Sequence, residues 1–474
     1  MTEQTQTLSN ELFDVVIIGA GIVGCAIARR FTLEGAKVAI LEKGTEILDG
    51  ASKANSAILH TAFDAPPDSL EHSCIREGYH EYLKIRHDLG LPLDEIGAYV
   101  VAWSDEEVAK LDSILAKAHK NDVTDTKIIT ADELRRNEPN LAEHAKAAIS
   151  IPGESIIDPW SAAYAYLGQA LENGAEVFRS CAVTTGKYRQ NHWKLDTSRG
   201  FIKARHVINS AGLYGDLLDQ AVLGTSDFKI TPRKGQFVVY DKAAAKLLKA
   251  VILPVPSSRT KGVVLFRTVF GNLVVGPTAE DQESRSDAST DKKTLQMLMA
   301  SATEKIPALQ TMPVTAIYAG LRPATEFSEY QIRAHKGQHW ITVGGIRSTG
   351  LSAALGIANY VFKLYTASCV EEGIILDHSP ISEPKVADIA VLAESSERDW
   401  QKHDHGEIVC HCELVTRREI EKALTGPLAA RSLQGLKRQS RVTMGRCQGF
   451  FCAGRLGEIV QDRFEVPLSE EIKT

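Results

Sequence analysis

Residues 14–44 read DVVIIGAGIVGCAIARRFTLEGAKVAILEKG. An apolar run, Val15 to Ile18, turns through glycines, gives way to apolar residues at helical spacing, and returns to a second apolar run, Val38 to Leu41; this spells a strand–helix–strand unit. The glycines fall as Gly19-x-Gly21-x-x-Gly24. In that setting Gly19 permits the tight turn, Gly21 lets the backbone approach a pyrophosphate, and Gly24 lets helix and strand pack closely. The helix N-terminus adds N–H donors and a partial positive charge for the phosphates. Glu42 closes the second strand eighteen residues after Gly24, where a carboxylate can accept both ribose hydroxyls. The pattern predicts a dinucleotide site. A carboxylate at position 42 argues against a 2′-phosphate and hence against NADP, while FAD and NAD both stay open.

Outward from this unit, the 474 residues are 44% hydrophobic and 24% charged, which excludes long disorder and fibrous architectures and favours two or three domains. No apolar run is long enough to span a bilayer, and Met1 to Glu11 lacks the basic start of a signal peptide, so the cytoplasm is the expected compartment. A net charge of -6 gives no field that would attract nucleic acid. Helical spacing recurs over Leu70 to Leu89, Glu106 to His119 and Ala162 to Gly174, strands predominate from Gln236 to Pro277, and a glycine-punctuated turn after Trp340 to Val343 leads into a helix near Leu351. From Asp377 the pattern weakens into prolines, serines and charge, which suits a linker or an irregular crossing segment. Thr416 and Glu419 then announce a helix by capping-box spacing.

Of eight cysteines, Cys25, Cys74, Cys181 and Cys369 are scattered singly and read as buried thiols. The other four form Cys410-x-Cys412, then 34 residues, then Cys447-x-x-x-x-Cys452. Four soft thiolates select zinc or an iron–sulfur cluster, and Cys-x-Cys is atypical of structural zinc. Backbone N–H groups near Gly445 and Gly449, with Arg438, Arg441 and Arg446, are candidates to offset the thiolate charge.

Six segments in order carry a family resemblance. The N-terminal fingerprint, GASKANSAILHTAFDAPP (50–67), HVINSAGLYGD (206–216), GNLVVGPTAED (271–281), AGLRP (319–323) and VGGIRSTGLSAALGIA (343–358) resemble FAD-dependent oxidoreductases of the D-amino-acid oxidase and glycerol-3-phosphate dehydrogenase superfamily. CHCELVT and MGRCQGFFC resemble the bacterioferritin-associated-ferredoxin type of [2Fe-2S] domain, as at the C-terminus of anaerobic glycerol-3-phosphate dehydrogenase large subunits and of some proline and hydroxyproline dehydrogenases. The resemblance implies an α/β and α+β protein: a discontinuous Rossmann-like FAD-binding domain (12–90, 150–225 and 315–376), an inserted mainly β substrate domain (91–149 and 226–314), a linker (377–404) and a small helical C-terminal [2Fe-2S] domain (405–474).

By motif match, Ile22, Val23, Lys43, Ser52, Asn55 and Ser56 join the fingerprint glycines and Glu42 in binding FAD, Val183 faces the adenine through its backbone, and Ala211 and Gly212 pass close to the cofactor. Gly344, Gly345, Gly350, Leu351 and Ser352 are expected to set a second helix N-terminus against the flavin, whose reduced form carries negative charge. Cys410, Cys412, Cys447 and Cys452 become the cluster ligands. His60 is the expected general base, Arg322 the fork for a substrate carboxylate or phosphate, and Arg347 a contact to anionic flavin or to a second anion. Lys261, Arg267 and Arg233 are weaker candidates, and Phe270 stands where relatives often have histidine. The implied function is an FAD-dependent dehydrogenase that oxidises a small anionic hydroxy compound, such as glycerol 3-phosphate, a related polyol phosphate or a 2-hydroxy acid. The hydride goes to flavin N5, and electrons leave through the cluster to a partner subunit or quinone pathway. An amino-acid or secondary-amine dehydrogenase and a non-catalytic electron-relay subunit are the alternatives. Any membrane contact is expected to be peripheral and through a partner.

Overall fold

In the computed structural model, which describes residue 8 and residues 11–256 and 262–468, the run Leu12–Ile18 is an interior strand of an eight-stranded sheet. Its parallel neighbours are Val38–Leu41 on one side and Gly200–Asn209 on the other. Glu176–Phe178 extends the parallel block beyond the former, and Trp340–Gly344 beyond the latter. Strands of such a block are covered on both faces, so Val15 to Ile18 and Val38 to Leu41 are continuous apolar runs instead of alternating ones. Helices Ile22–Leu33, Leu70–Ile85, Ser161–Glu172 and Gly350–Glu371 contribute to one large apolar cluster on this sheet. Within it Phe31 meets the rings of Phe362 and Tyr365, each at 5.1 Å between centroids.

A second, nine-stranded sheet has its own apolar clusters and is mostly antiparallel. Its longest pairing runs Ile230–Tyr240 against Val314–Thr325. The third segment of the dinucleotide-binding unit therefore does not begin at residue 315 as expected. Residues 314–325 take their hydrogen bonds from the second sheet, and the first sheet is rejoined at Gln331–His335. Likewise Ala147–Ile151 pairs with Ala98–Ala102 in the second sheet, so that boundary lies beyond residue 150. A small three-stranded ribbon of Ile58–Leu59, Ser155–Ile157 and Leu93–Asp94 links the two units.

Residues 377–404 are a strap laid on the body, not a free tether. The Ile381 N–H donates to the Leu33 carbonyl (2.8 Å), Lys385 and Asn173 exchange two hydrogen bonds (2.9 and 3.0 Å), and Leu392 and Ala393 are buried beside Phe270. The C-terminal module combines a hairpin, Ile408–Cys410 with Val415–Thr416, and helices Arg417–Ala423, Leu433–Ser440 and Ala453–Val460 around a separate apolar cluster. The capping box is present: the Glu419 N–H donates to Thr416 Oγ1 (3.2 Å) and the Thr416 N–H to Glu419 Oε2 (2.8 Å). Among the described residues, no helix is long and apolar enough to cross a membrane.

Candidate functional site

A cavity of about 600 Å³ lies where the fingerprint turn faces the second sheet, well within the size range of ligand sites. Gly19 has φ +102°, and a Cβ there would lie 2.6 Å from the Ser210 carbonyl oxygen. At Gly24 a Cβ would fall 1.9 Å from the Gly19 carbonyl oxygen, so this position is closed to any side chain. Ser52 Oγ accepts a hydrogen bond from the Ile22 N–H (3.0 Å) at the N-terminus of the fingerprint helix. Glu42 accepts from the N–H groups of Ala20 (2.9 Å) and Gly44 (2.8 Å), one on each oxygen. Burial raises its pKa, while these two bonds pull the other way. Each carboxylate oxygen keeps acceptor capacity for a ligand hydroxyl. Lys43 Nζ lies over the Tyr214 ring, 3.2 Å from its centroid.

The cavity wall brings together most of the residues singled out from the sequence: Gly19, Gly21, Ile22, Val23, Glu42, Lys43, Ser52, Asn55, Ser56, Val183, Ala211, Gly212, Arg322, Arg347, Gly350 and Leu351. Gly24, Gly344, Gly345, Ser352 and His60 are not among the residues that line the cavity. Gly344 is where Phe228 packs, since a Cβ would meet its ring at 2.3 Å, and Gly345, at φ +66°, turns the chain against Gln331. Ser352 Oγ accepts from the His60 N–H (2.8 Å) and donates to the Ile58 carbonyl (3.2 Å). These three shape the turn that leads Arg347, Gly350 and Leu351 to the cavity.

His60 Nδ1 lies 2.8 Å from Glu154 Oε2, and Glu154 is fully buried. The other oxygen, Oε1, accepts from the Thr61 N–H (2.7 Å) and hydroxyl (2.8 Å). A carboxylate on Nδ1 favours the tautomer in which Nε2 accepts a proton. Nothing in the sequence singled out Glu154; its one signal was an acidic residue between the short strand-like runs AAISI and SII.

Three of the candidate arginines differ in what already neutralises them. Arg233 is bound by both oxygens of Asp281 (2.6 and 3.0 Å). Arg347 donates to Glu71 (2.7 Å), which also accepts from the Thr349 hydroxyl (2.7 Å). Arg322 makes no ion pair among the described residues; its guanidinium is held by the backbone carbonyls of Arg233 (3.3 Å), Lys234 (3.4 Å) and Thr278. Burial, with Arg233 nearby, pushes its pKa down to about 10, so it stays charged at neutral pH. Lys261 lies outside the described residues. Arg285, which sequence reading missed, also lines the cavity and is pinned by both oxygens of Asp216.

In the C-terminal module the four cysteine thiols lie within range of one another's charge: Cys412 feels Cys447 and Cys410, and Cys452 feels Cys410 and Cys447. Among the described residues no three His, Cys, Asp or Glu side chains are arranged around a single metal ion. Four thiols gathered in this way would supply the donor set of a binuclear cluster. Backbone N–H donation from Phe451, joined by Gly449 and Phe450, holds the Cys447 thiol below its ordinary pKa, consistent with the donors expected near Gly449. The arginines are engaged elsewhere. Arg441 pairs with Glu413 (2.8 Å), Arg446 makes two bonds of 2.9 Å to Asp241 of the body, and Arg438 donates to the Ile47 carbonyl (3.3 Å). Arg446 and Arg438 tie the module to the body, and Arg446 also lies within range of the Cys412 charge.

Comparison with known proteins agrees with both parts of the site. Residues 14–364 match the family model described as FAD dependent oxidoreductase, and residues 408–462 that of the BFD-like [2Fe-2S] binding domain. A glycerol 3-phosphate dehydrogenase of Caloramator mitchellensis is 32% identical over 464 residues, covering 97% of this chain and 96% of the relative. An L-2-hydroxyglutarate dehydrogenase of Indibacter alkaliphilus is 34% identical over 272 residues, 56% of this chain and 68% of its own. Among solved structures, the dithionite-reduced L-alpha-glycerophosphate oxidase of Mycoplasma pneumoniae with FAD bound superposes with a TM-score of 0.72 at 26% identity, covering 79% of this chain and 97% of that one.

Proposed function

We propose that this chain, which belongs to the FAD-dependent oxidoreductase family, oxidises glycerol 3-phosphate or a closely similar small anionic hydroxy compound, with its [2Fe-2S] domain as the exit for electrons toward a partner protein or quinone. The chain is an FAD-dependent oxidoreductase, and its cofactors are FAD and a [2Fe-2S] cluster. Its relatives support a hydroxy compound as the substrate. When bound, FAD accepts a hydride from carbon and the cluster carries electrons singly.

The chain's own residues supply what those groups cannot. Arg322 brings a positive charge to a phosphate or carboxylate at the cavity wall; Nε and Nη2 are spent on backbone carbonyls, Nη1 is left to donate, and no carboxylate among the described residues forms an ion pair with it. That unspent cation is the observation that carries the choice of an anionic substrate. His60, set just off the cavity lining and fixed through Nδ1 by Glu154, is the candidate to receive the hydroxyl proton, directly or through one water, with Glu154 stabilising the imidazolium that results. A secondary amine bound in its free form needs no such base, so the His60–Glu154 pair favours the hydroxy compound. The glycine-lined turn and Glu42 hold the dinucleotide end and keep it fixed in the cavity.

Anaerobic mixing with polyol phosphates, 2-hydroxy acids and amino acids tests the reading, because only the true class bleaches the oxidised flavin. Glycerol 3-phosphate or a near relative is expected to do so. In Arg322→Ala the same ligand is expected to lose the perturbation it causes in the spectrum of bound flavin. Bleaching by amino acids alone would sink the proposal.

A further inference from the structure

Between the cavity loop and the four-cysteine module runs a line of packed groups. Trp160 precedes the helix Ser161–Glu172, and its indole Nε1–H donates to the Lys53 carbonyl at 3.1 Å. Lys53 is itself part of the cavity wall. The indole stacks on Phe270, with ring centroids 5.5 Å apart and 18° between the planes. The Arg441 guanidinium carbon lies 4.1 Å from the Phe270 centroid, and Arg441 Nε donates to Glu413 at 2.8 Å. Glu413 is the residue after the ligand Cys412.

The line is held rigidly at each step. The buried Asp158 accepts from the N–H groups of Trp160 (2.8 Å) and Ser161 (3.2 Å), which fixes the start of the helix. Phe270 is buried in one apolar cluster with Ala57 of the cavity loop and Leu392 and Ala393 of the strap. The Arg441 and Glu413 side chains are 5% and 3% exposed. The turn at 269–270, the strap and Trp160 thus meet in one apolar cluster, against which Arg441 of the module lies and from which Trp160 reaches Lys53 of the cavity loop. Electronic coupling falls steeply with distance and faster across a gap than through packed atoms, so such a contact is where an electron crosses most readily. Phe270, the departure from the histidine that relatives often carry, gains a role by the same geometry.

We propose that Trp160, Phe270 and Arg441 form the bridge by which electrons cross from the cavity to the four-cysteine module; this rests on the function proposed above. Each crossing takes one electron from flavin that the substrate has reduced by two, and turns one ferric ion of the cluster ferrous. A one-electron acceptor must reoxidise the cluster before the second crossing returns the flavin to its oxidised state, its protons going to solvent. Trp160 and Phe270 are positioning residues here, since they touch neither the substrate nor the reacting atoms.

Full-length protein carrying Trp160→Leu or Phe270→Leu, loaded with flavin and iron, is reduced anaerobically in two ways: by substrate, and by photoreduction of the flavin. Absorbance follows the flavin and freeze-quench electron paramagnetic resonance follows the reduced cluster. Flavin reduction is expected at the unmodified rate, and cluster reduction slower by about an order of magnitude. If leucine leaves a void that costs iron, Phe270→Met fills nearly the same volume without a ring and is expected to give the same delay. Cluster reduction at the unmodified rate in iron-replete variants overturns the bridge. Should substrate fail to bleach the flavin while light succeeds, the proposed function falls, and the photoreduction arm still decides the bridge.

Discussion

The dinucleotide cavity and the four-cysteine module are built in opposite ways. In the cavity the decisive atoms belong to the backbone, and what matters is where side chains are missing: a Cβ at Gly24 would sit 1.9 Å from the Gly19 carbonyl oxygen. In the module the decisive atoms are four sulfurs, and the surrounding frame is slight, with strands of two and three residues and helices of seven and eight. The first site needs a large, stiff core to hold a bare backbone in place. The second is a small unit around a separate apolar cluster, to whose stability a bound cluster would add. One site is thus sensitive to added atoms, the other to lost ligands.

Adding a single methyl should break the first site outright. Gly24→Ala is expected to purify without flavin while still binding iron, which absorbance and metal analysis on the same sample would reveal. Retained flavin would mean that the helix can move off the turn, contrary to the packing seen. The next largest effect concerns the proton. His60→Ala should slow flavin reduction by roughly 10² to 10⁴, the usual range for a general base, and Glu154→Gln by a smaller factor, with a shifted pH–rate profile because the ring loses its orienting anion. An unchanged profile in Glu154→Gln would assign that carboxylate to packing alone. The smallest effect on the flavin side should come from the second site. Cys447→Ser is expected to lose iron and melt the module early, with flavin content intact and the melting of the flavin-bearing body little changed. Loss of both cofactors together would show that the two sites are one cooperative unit.

What could be read from the sequence follows the same division. Turn glycines and paired cysteines have fixed spacings along the chain, so the fingerprint, the [2Fe-2S] domain and the Thr416–Glu419 capping box were all legible. Arg322 was legible as a candidate because its motif is local. Its distinction from Arg347 was not: Glu71, which neutralises Arg347, lies 276 residues away, and Glu154 lies 94 residues from His60. Pairings of that length leave no periodicity behind. The strand Val314–Thr325 misled for a related reason: its segment AGLRP abuts the cavity, but its hydrogen bonds run to Ile230–Tyr240. Proximity to a ligand and membership of a sheet are separate facts, and only the first had a local signature.

The strap at 377–404 has a kinetic consequence. Had the iron-bearing unit been a separate protein, its meeting with the body would be a bimolecular encounter, slowed by dilution and screened by salt. Covalent attachment, with the connecting chain itself bonded to Leu33 and Asn173, would make the proposed hand-over a first-order event at one fixed geometry. Its rate should hold constant from a dilute cuvette to a crowded cell, leaving only the last donation, to whatever accepts from the iron, dependent on concentration.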